Sequence, residues 1–173
     1  MGVVLETERL LLCKVDIKRD LDAFTEFMSN PDSLRYIGNR TMDRVTAWRY
    51  LAQVMGHWQI RGYGFMSVIE KETRAWVGRV GPWFPLGWPQ PEVGWAIHPD
   101  HLRKGFGAEA ARACVDYAFD ELGWDEVIHV IIEDNAPSIA LAKSIGSTLK
   151  GDLPGIPGVT DERCFVYGQS RSG

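Results

Sequence analysis

Along this chain the spacing of apolar residues alternates between short runs and a 3.6-residue period, and each switch predicts an element. Residues 7–15 (Thr-Glu-Arg-Leu-Leu-Leu-Cys-Lys-Val) form a compact apolar run that reads as a first strand. Asp20 is placed to cap a helix bearing Leu21, Phe24, Phe27 and Met28 and ending before Pro31. Asp43 opens a second helix. Its Val45, Trp48, Leu51, Ala52, Met55 and Trp58 keep the helical period and predict its core face, until Gly62-Tyr63-Gly64 stops it. Two strands follow at 63–70 and 75–81, joined by Lys-Glu-Thr-Arg as in an antiparallel hairpin, with a third at 92–98. Pro82 to Pro91, between them, holds two Trp, one Phe and four Pro, too proline-rich for a strand and aromatic enough to wall a pocket.

From Trp95 to Glu109 a strand ends at Pro99, passes into a basic loop punctuated by Gly105 and Gly107, and opens a helix. That helix carries Ala108, Ala111, Val115, Ala118, Phe119 and Leu122 before Gly123 stops it. Glycines let the main chain turn tightly and approach a ligand, and the first-turn amides of a helix have no intrahelical partners, so this loop has the form of a phosphate cradle. Val127 to Ile132 is a nearly continuous apolar run, as expected of a strand covered on both faces and paired in parallel. Asn135 begins a short helix from Ala136 to Ser144 that ends at Gly146. Short strands at 147–150 and 164–167 flank a Gly- and Pro-rich loop at 151–161.

Composition narrows the class. With 173 residues, 45% apolar and 24% charged, the chain has the size and usage of one ordinary globular domain, its core spanning about 7–168 with a polar tail at 169–173. A net charge of −4 argues against general nucleic-acid binding, which needs a surplus of Lys and Arg. Cys13, Cys114 and Cys164 are odd in number and lack metal-ligand spacing, which points to reduced thiols, no zinc and a cytoplasmic location. No run is long and apolar enough to span a bilayer, so no membrane partner is expected.

Three segments carry a family likeness: Thr7-Glu-Arg-Leu, Glu92-Val-Gly-Trp-Ala-Ile-His-Pro through Gly105-Phe-Gly-Ala-Glu-Ala, and Asn135-Ala-Pro-Ser-Ile-Ala-Leu-Ala-Lys-Ser-Ile-Gly146. With the order of elements, they resemble the GNAT N-acetyltransferase superfamily, and within it the ribosomal-protein alanine acetyltransferase (RimJ/RimL-like) branch. The resemblance implies an α+β or α/β fold. Its mixed sheet would have about six to seven strands, antiparallel at first with a parallel pair at the cofactor, flanked by about four helices. It also implies acetyl-CoA as co-substrate, no metal, a primary amine or protein N-terminus as acceptor, and a possible homodimer. The pyrophosphate would meet the main chain of Arg103, Lys104, Gly105, Phe106, Gly107 and Ala108. Trp95, Ala96 and Ile97 would pair with the pantetheine arm, and Asn135 and Ser138 would lie along it. Leu102 stands where the family usually has Gln or Arg.

Acetyl transfer to an amine needs a base, donors for the thioester oxygen and a proton for the leaving thiolate. Glu92 is the candidate base and Ser138 the candidate proton donor, with a main-chain amide near Ile97 facing the oxygen. Trp83, Trp88 and Glu92 are the candidate acceptor-side residues. Two alternatives stand beside this reading. One is a CoA-binding or interaction module on the same fold without catalysis. The other is a nicotinamide-dependent oxidoreductase, because Gly105-Phe-Gly-Ala-Glu-Ala110 also satisfies Gly-x-Gly-x-x-Ala, although Pro99 to Lys104 separates it from its strand.

Overall fold

The computed structural model describes residues 2–37 and 41–171. Its eight strands form one sheet, β1 (Val3–Glu6), β2 (Leu10–Lys14), β3 (Met66–Glu70), β4 (Trp76–Trp83), β5 (Glu92–Ile97), β6 (Glu126–Ile132), β7 (Thr148–Leu153) and β8 (Cys164–Ser170), in the order β1-β2-β3-β4-β5-β6-β8-β7. All neighbours are antiparallel except β5 and β6, whose parallel register is confined to Glu92 opposite Ile128. The mixed sheet and its parallel pair are as the sequence implies, with three strand ends longer than expected. β4 runs through Pro82 and Trp83, which face Val93 and Glu92, β7 runs into the expected loop as far as Leu153 opposite Cys164, and β8 runs to Ser170 opposite Glu126. β1, only four residues long (Val-Val-Leu-Glu), is an addition at the edge.

Among the described residues five helices flank the sheet: α1 (Ile17–Ser29), α2 (Pro31–Leu34), α3 (Arg44–Arg61), α4 (Phe106–Asp120) and α5 (Ala136–Ser144). α4 covers one face, burying Phe106, Ala110, Cys114, Val115 and Ala118 against Leu10, Leu12, Val68, Val80 and Val93. α1 and α3 cover the other, where Phe24, Phe27 and Leu51 pack with Ala96. α3 is capped by Asp43, which accepts from the Thr46 N–H at 2.7 Å, and closed by Gly62 in the left-handed region.

Two local expectations are corrected. The cap of α1 is Asp16, which accepts from the Lys18 and Arg19 N–H groups. Asp20 instead lies one turn inside the helix and is fully buried, accepting from Ser67 Oγ at 2.6 Å and from Arg19, so it ties α1 to β3. On α3 the buried face is Ala47, Leu51, Val54 and His57, and Val45, Trp48 and Met55 are exposed. Two apolar stripes run along this helix, and periodicity alone does not say which of them meets the sheet. Trp58 is half-buried, with Nε1 donating to the Phe65 carbonyl at 2.9 Å.

Candidate active site

The site lies on the seam between β5 and β6. Beyond Glu92 and Ile128 the two strands part, and side chains take over from the main-chain ladder. The Val130 N–H donates to Glu92 Oε1 at 3.0 Å, and His129 Nδ1 donates to the Val93 carbonyl at 2.6 Å. On its other edge β5 is fully paired with β4, the His98 N–H reaching the Val77 carbonyl. Strand alternation therefore turns the main-chain groups of Trp95 and Ile97 toward the opening, as a strand-like ligand arm requires.

Glu92 is 6% exposed. Its second oxygen accepts from Trp88 Nε1 at 2.6 Å, so both oxygens are held. Burial raises its pKa to about 7, and the donors from Val130 and Trp88, with the Arg79 guanidinium, pull the other way. A carboxyl held near 7 is poised to take a proton at neutral pH. Of the two candidate acceptor-side tryptophans, Trp88 thus contacts the candidate base. Trp83 is buried in β4, stacked between His57 at 4.3 Å and Phe65 at 4.7 Å, and forms part of the packed layer beneath the seam.

Ser138 is in the first turn of α5. Its N–H donates to Asn135 Oδ1 at 3.1 Å, which makes Asn135 the N-cap and leaves its Nδ2 donors for a ligand. Ser138 Oγ accepts from Trp95 Nε1 at 3.2 Å. Because an indole N–H can only donate, the Ser138 hydroxyl hydrogen is directed elsewhere. Trp95 also packs on the ring of His129 at 4.6 Å. His129 itself gave no signal within its apolar run. It is fully buried, accepts at Nε2 from Ser147 Oγ at 2.9 Å, and has its pKa lowered to about 4 by burial, against the pull of its bond to Val93.

The cradle closes the far end of β5. Pro99–His101 form a 3-10 turn, capped where His98 Nδ1 accepts from the Asp100 N–H at 3.3 Å, so His98 is structural here. Arg103 and Gly105 both adopt positive φ, +61° and +81°. Gly105 is the N-cap of α4 and supplies no side-chain acceptor, so the first-turn amides stay free for an anion. Lys104 points outward, its Nζ 3.4 Å from His101 Nδ1. Gly107 serves a different need. A Cβ there would lie 2.8 Å from Leu141 Cδ1 and 3.3 Å from Ile97 Cγ1, so this glycine lets α4 close on α5 and β5. A groove of about 620 Å³ opens beside the cradle, lined by Thr7, Arg9, Gly105, Ala108, Glu109 and Arg112. Among the described residues no His, Cys, Asp and Glu side chains are grouped to hold a metal ion, and no helix is long and apolar enough to cross a membrane.

Residues 9–148 match the model of the acetyltransferase (GNAT) domain, which spans the cradle, the seam and the helix of Ser138. The chain belongs to the GNAT acetyltransferases. The GNAT enzyme is 28% identical over 151 residues to a relative in Bacillus licheniformis named "Uncharacterized N-acetyltransferase p20", covering 86% of this chain and 84% of that one. It superposes on an acetyltransferase from Agrobacterium tumefaciens with a TM-score of 0.81 and 29% identity, over 96% of this chain and 94% of that one. RimL, a ribosomal L7/L12 α-N-protein acetyltransferase solved in complex with coenzyme A, shares the fold with a TM-score of 0.80, over 97% of both chains, at 14% identity. The GNAT enzyme is accordingly an N-acetyltransferase. Its glycine fingerprint follows a 3-10 turn and a strand with only one parallel pairing, which is not the setting of a dinucleotide-binding βαβ unit.

Proposed function

We propose that the GNAT enzyme, acting as a single domain, moves the acetyl group of acetyl-CoA directly to a primary amine within a ternary complex. The reading rests on the Glu92 carboxyl, buried and held near pKa 7 at the point where the sheet opens. Acetyl-CoA supplies the thioester. The Arg103–Ala108 main chain would hold its pyrophosphate, the edge groups of Trp95 and Ile97 its amide-bearing arm, since the Ala96 groups are taken up by Arg79 on β4, and Asn135 Nδ2 one oxygen of that arm. As the acceptor nitrogen bonds to the thioester carbon, its proton passes to Glu92 directly or through a water. The carbon–sulfur bond breaks, and the thiolate takes the Ser138 hydroxyl hydrogen as the serine oxygen regains one from a water, to which the protonated Glu92 in turn gives up the amine proton. An amide N–H near Ile97 faces the carbonyl oxygen meanwhile.

The acceptor enters from the α1/α3 side, past Trp88. RimL-like fold similarity and the Thr7-Glu-Arg-Leu opening support a protein N-terminus, and small-molecule amines fit the same chemistry. The test is a calorimetric titration of acetyl-CoA into the enzyme with NADH and NADPH run in parallel, followed by thiol release over a panel of amines and N-terminal peptides. Saturable acetyl-CoA binding with amine-dependent thiol release is expected. Tighter nicotinamide binding, or no binding of acetyl-CoA, would overturn the assignment of the cradle.

A further inference from the structure

Arg9, in the turn between β1 and β2, grips a loop 95 residues away. Its Nη1 donates to the Lys104 carbonyl at 2.9 Å, its Nε donates to Glu109 Oε2 at 2.7 Å, and its Nη2 lies 2.6 Å from the same oxygen. The Arg9 main-chain N–H donates to Glu109 Oε1 at 2.9 Å, and Thr7 Oγ1 donates to that oxygen at 2.6 Å. The guanidinium also lies over the Phe106 ring, 4.8 Å from its centre. A single side chain thus joins the residue just before Gly105, the first residue of α4 and a carboxylate one turn further on.

We propose that Arg9 is a positioning residue for the phosphate-bearing end of the acyl donor: it aims the cradle and neutralises the carboxylate beside it. The proposal rests on the cradle reading given above. Two physical effects act together. A trans peptide unit points its C=O and N–H in opposite directions, so a Lys104 carbonyl held on Arg9 directs the Gly105 N–H away from Arg9. Glu109, in the first turn of α4, stabilises the positive helix end but would repel an incoming phosphate. Burial pushes its pKa up, yet the bonds from Thr7 and Arg9 outweigh that and keep it ionised. Arg9 offsets the charge at contact distance, so the amides of the cradle act on a nearly neutral background. A lysine cannot do both, because one ammonium does not span the Lys104 carbonyl and the Glu109 carboxylate as the planar guanidinium does.

The Arg9 side chain is 45% exposed, so truncating it opens no core cavity. The experiment compares CoA titrations of the parent, Arg9→Ala, Arg9→Lys and the double variant Arg9→Ala/Glu109→Gln, at a temperature where circular dichroism shows all four folded. Both single variants are expected to bind CoA about tenfold more weakly, the double variant recovering part of the loss, since one charge-assisted contact is worth roughly a factor of ten. In turnover, the KM for acetyl-CoA rises by the same factor and kcat changes less than about twofold. If the parent binds CoA and Arg9→Ala binds it equally well, or if kcat falls in place of a rise in KM, the role of Arg9 is overturned alone. If the parent itself does not bind CoA, the cradle reading fails and takes this proposal with it.

Discussion

The two ends of β5 solve opposite problems. At its start, Glu92 is a side-chain site: a single carboxyl, buried, with a specific donor on each oxygen. At its end, the Arg103–Ala108 loop is, on the proposed reading, a main-chain site in which the side chains are exposed or serve packing and Gly105 contributes only its conformation. A proton must be handled by a group of tuned pKa, which only a side chain offers. A diphosphate is recognised by repeated N–H donors, which the backbone offers anywhere a helix begins. Sensitivity to substitution should therefore divide along the strand. At Glu92 chemical identity matters, and at the cradle backbone shape matters.

The largest expected effect is at the proposed base. Glu92→Gln should lower kcat by about 10² to 10⁴ with little change in CoA affinity, measured by steady-state thiol release beside calorimetry. In the parent, kcat/KM should rise with pH through about 7, because the reactive form is the carboxylate, and the variant should lose that rise. Equal loss of CoA binding in Glu92→Gln would erase the division between the two ends.

Next come the glycines, which separate shape from packing. A valine at position 105 must adopt φ near +81°, a strain of about 1–3 kcal/mol, and should weaken CoA binding about 10- to 100-fold by titration. Gly107→Val meets Leu141 and Ile97 instead, so it should lower the thermal midpoint first, by an overpacking cost of about 1–3 kcal/mol.

A smaller effect sharpens the comparison from the seam itself. Glu92 has a folded pKa of about 7 against an ordinary 4.5, so the folded state holds the extra proton and loses stability as pH rises from about 4.5 to 7. His129 runs the other way. With a folded pKa near 4 against 6.5, it loses stability as pH falls from about 6.5 to 4, when the unfolded chain takes up the proton. Between about 4.5 and 6.5 the two slopes oppose each other. Glu92→Gln should expose the histidine slope, so that its denaturation midpoint falls as the pH is lowered through that window more steeply than the parent's.

The smallest effect is expected at Arg103→Ala and Lys104→Ala. Each removes an exposed cation from a loop whose proposed binding groups are main-chain, so CoA affinity should drop by less than about threefold and the difference should shrink in added salt.

What was legible in the chain follows how far its determinants reach. The α5 helix, with Asn135 before it, and α3, between Asp43 and Gly62, are written in neighbouring residues, and the structure has them where those residues indicate. The Gly105 turn and the helix after it were equally local. The rest depends on distant partners. Asp20 reads as a cap because nothing nearby in the chain shows that Ser67 waits for it across the sheet. Trp83 looked like loop because its proline neighbours mask a strand paired with β5. His129 carried no sign of its role, since Val93 and Ser147 meet it only in the fold, and Arg9 meets Glu109 across 100 residues.

A sheet usually hides its raw edges at its margins, with charges, bulges or short strands that discourage a second molecule from pairing there. This enzyme keeps one such edge in the middle. β5 lies fifth of eight strands, yet past Glu92 one side of it has no strand partner, and the gap is roofed by α4 and α5. On the proposed reading, a gap of that kind would admit a single thin extended chain and not another folded sheet. The exposure that would make a marginal strand an aggregation hazard would become, placed centrally, a selective port, with walls only as rigid as the two helices that flank it.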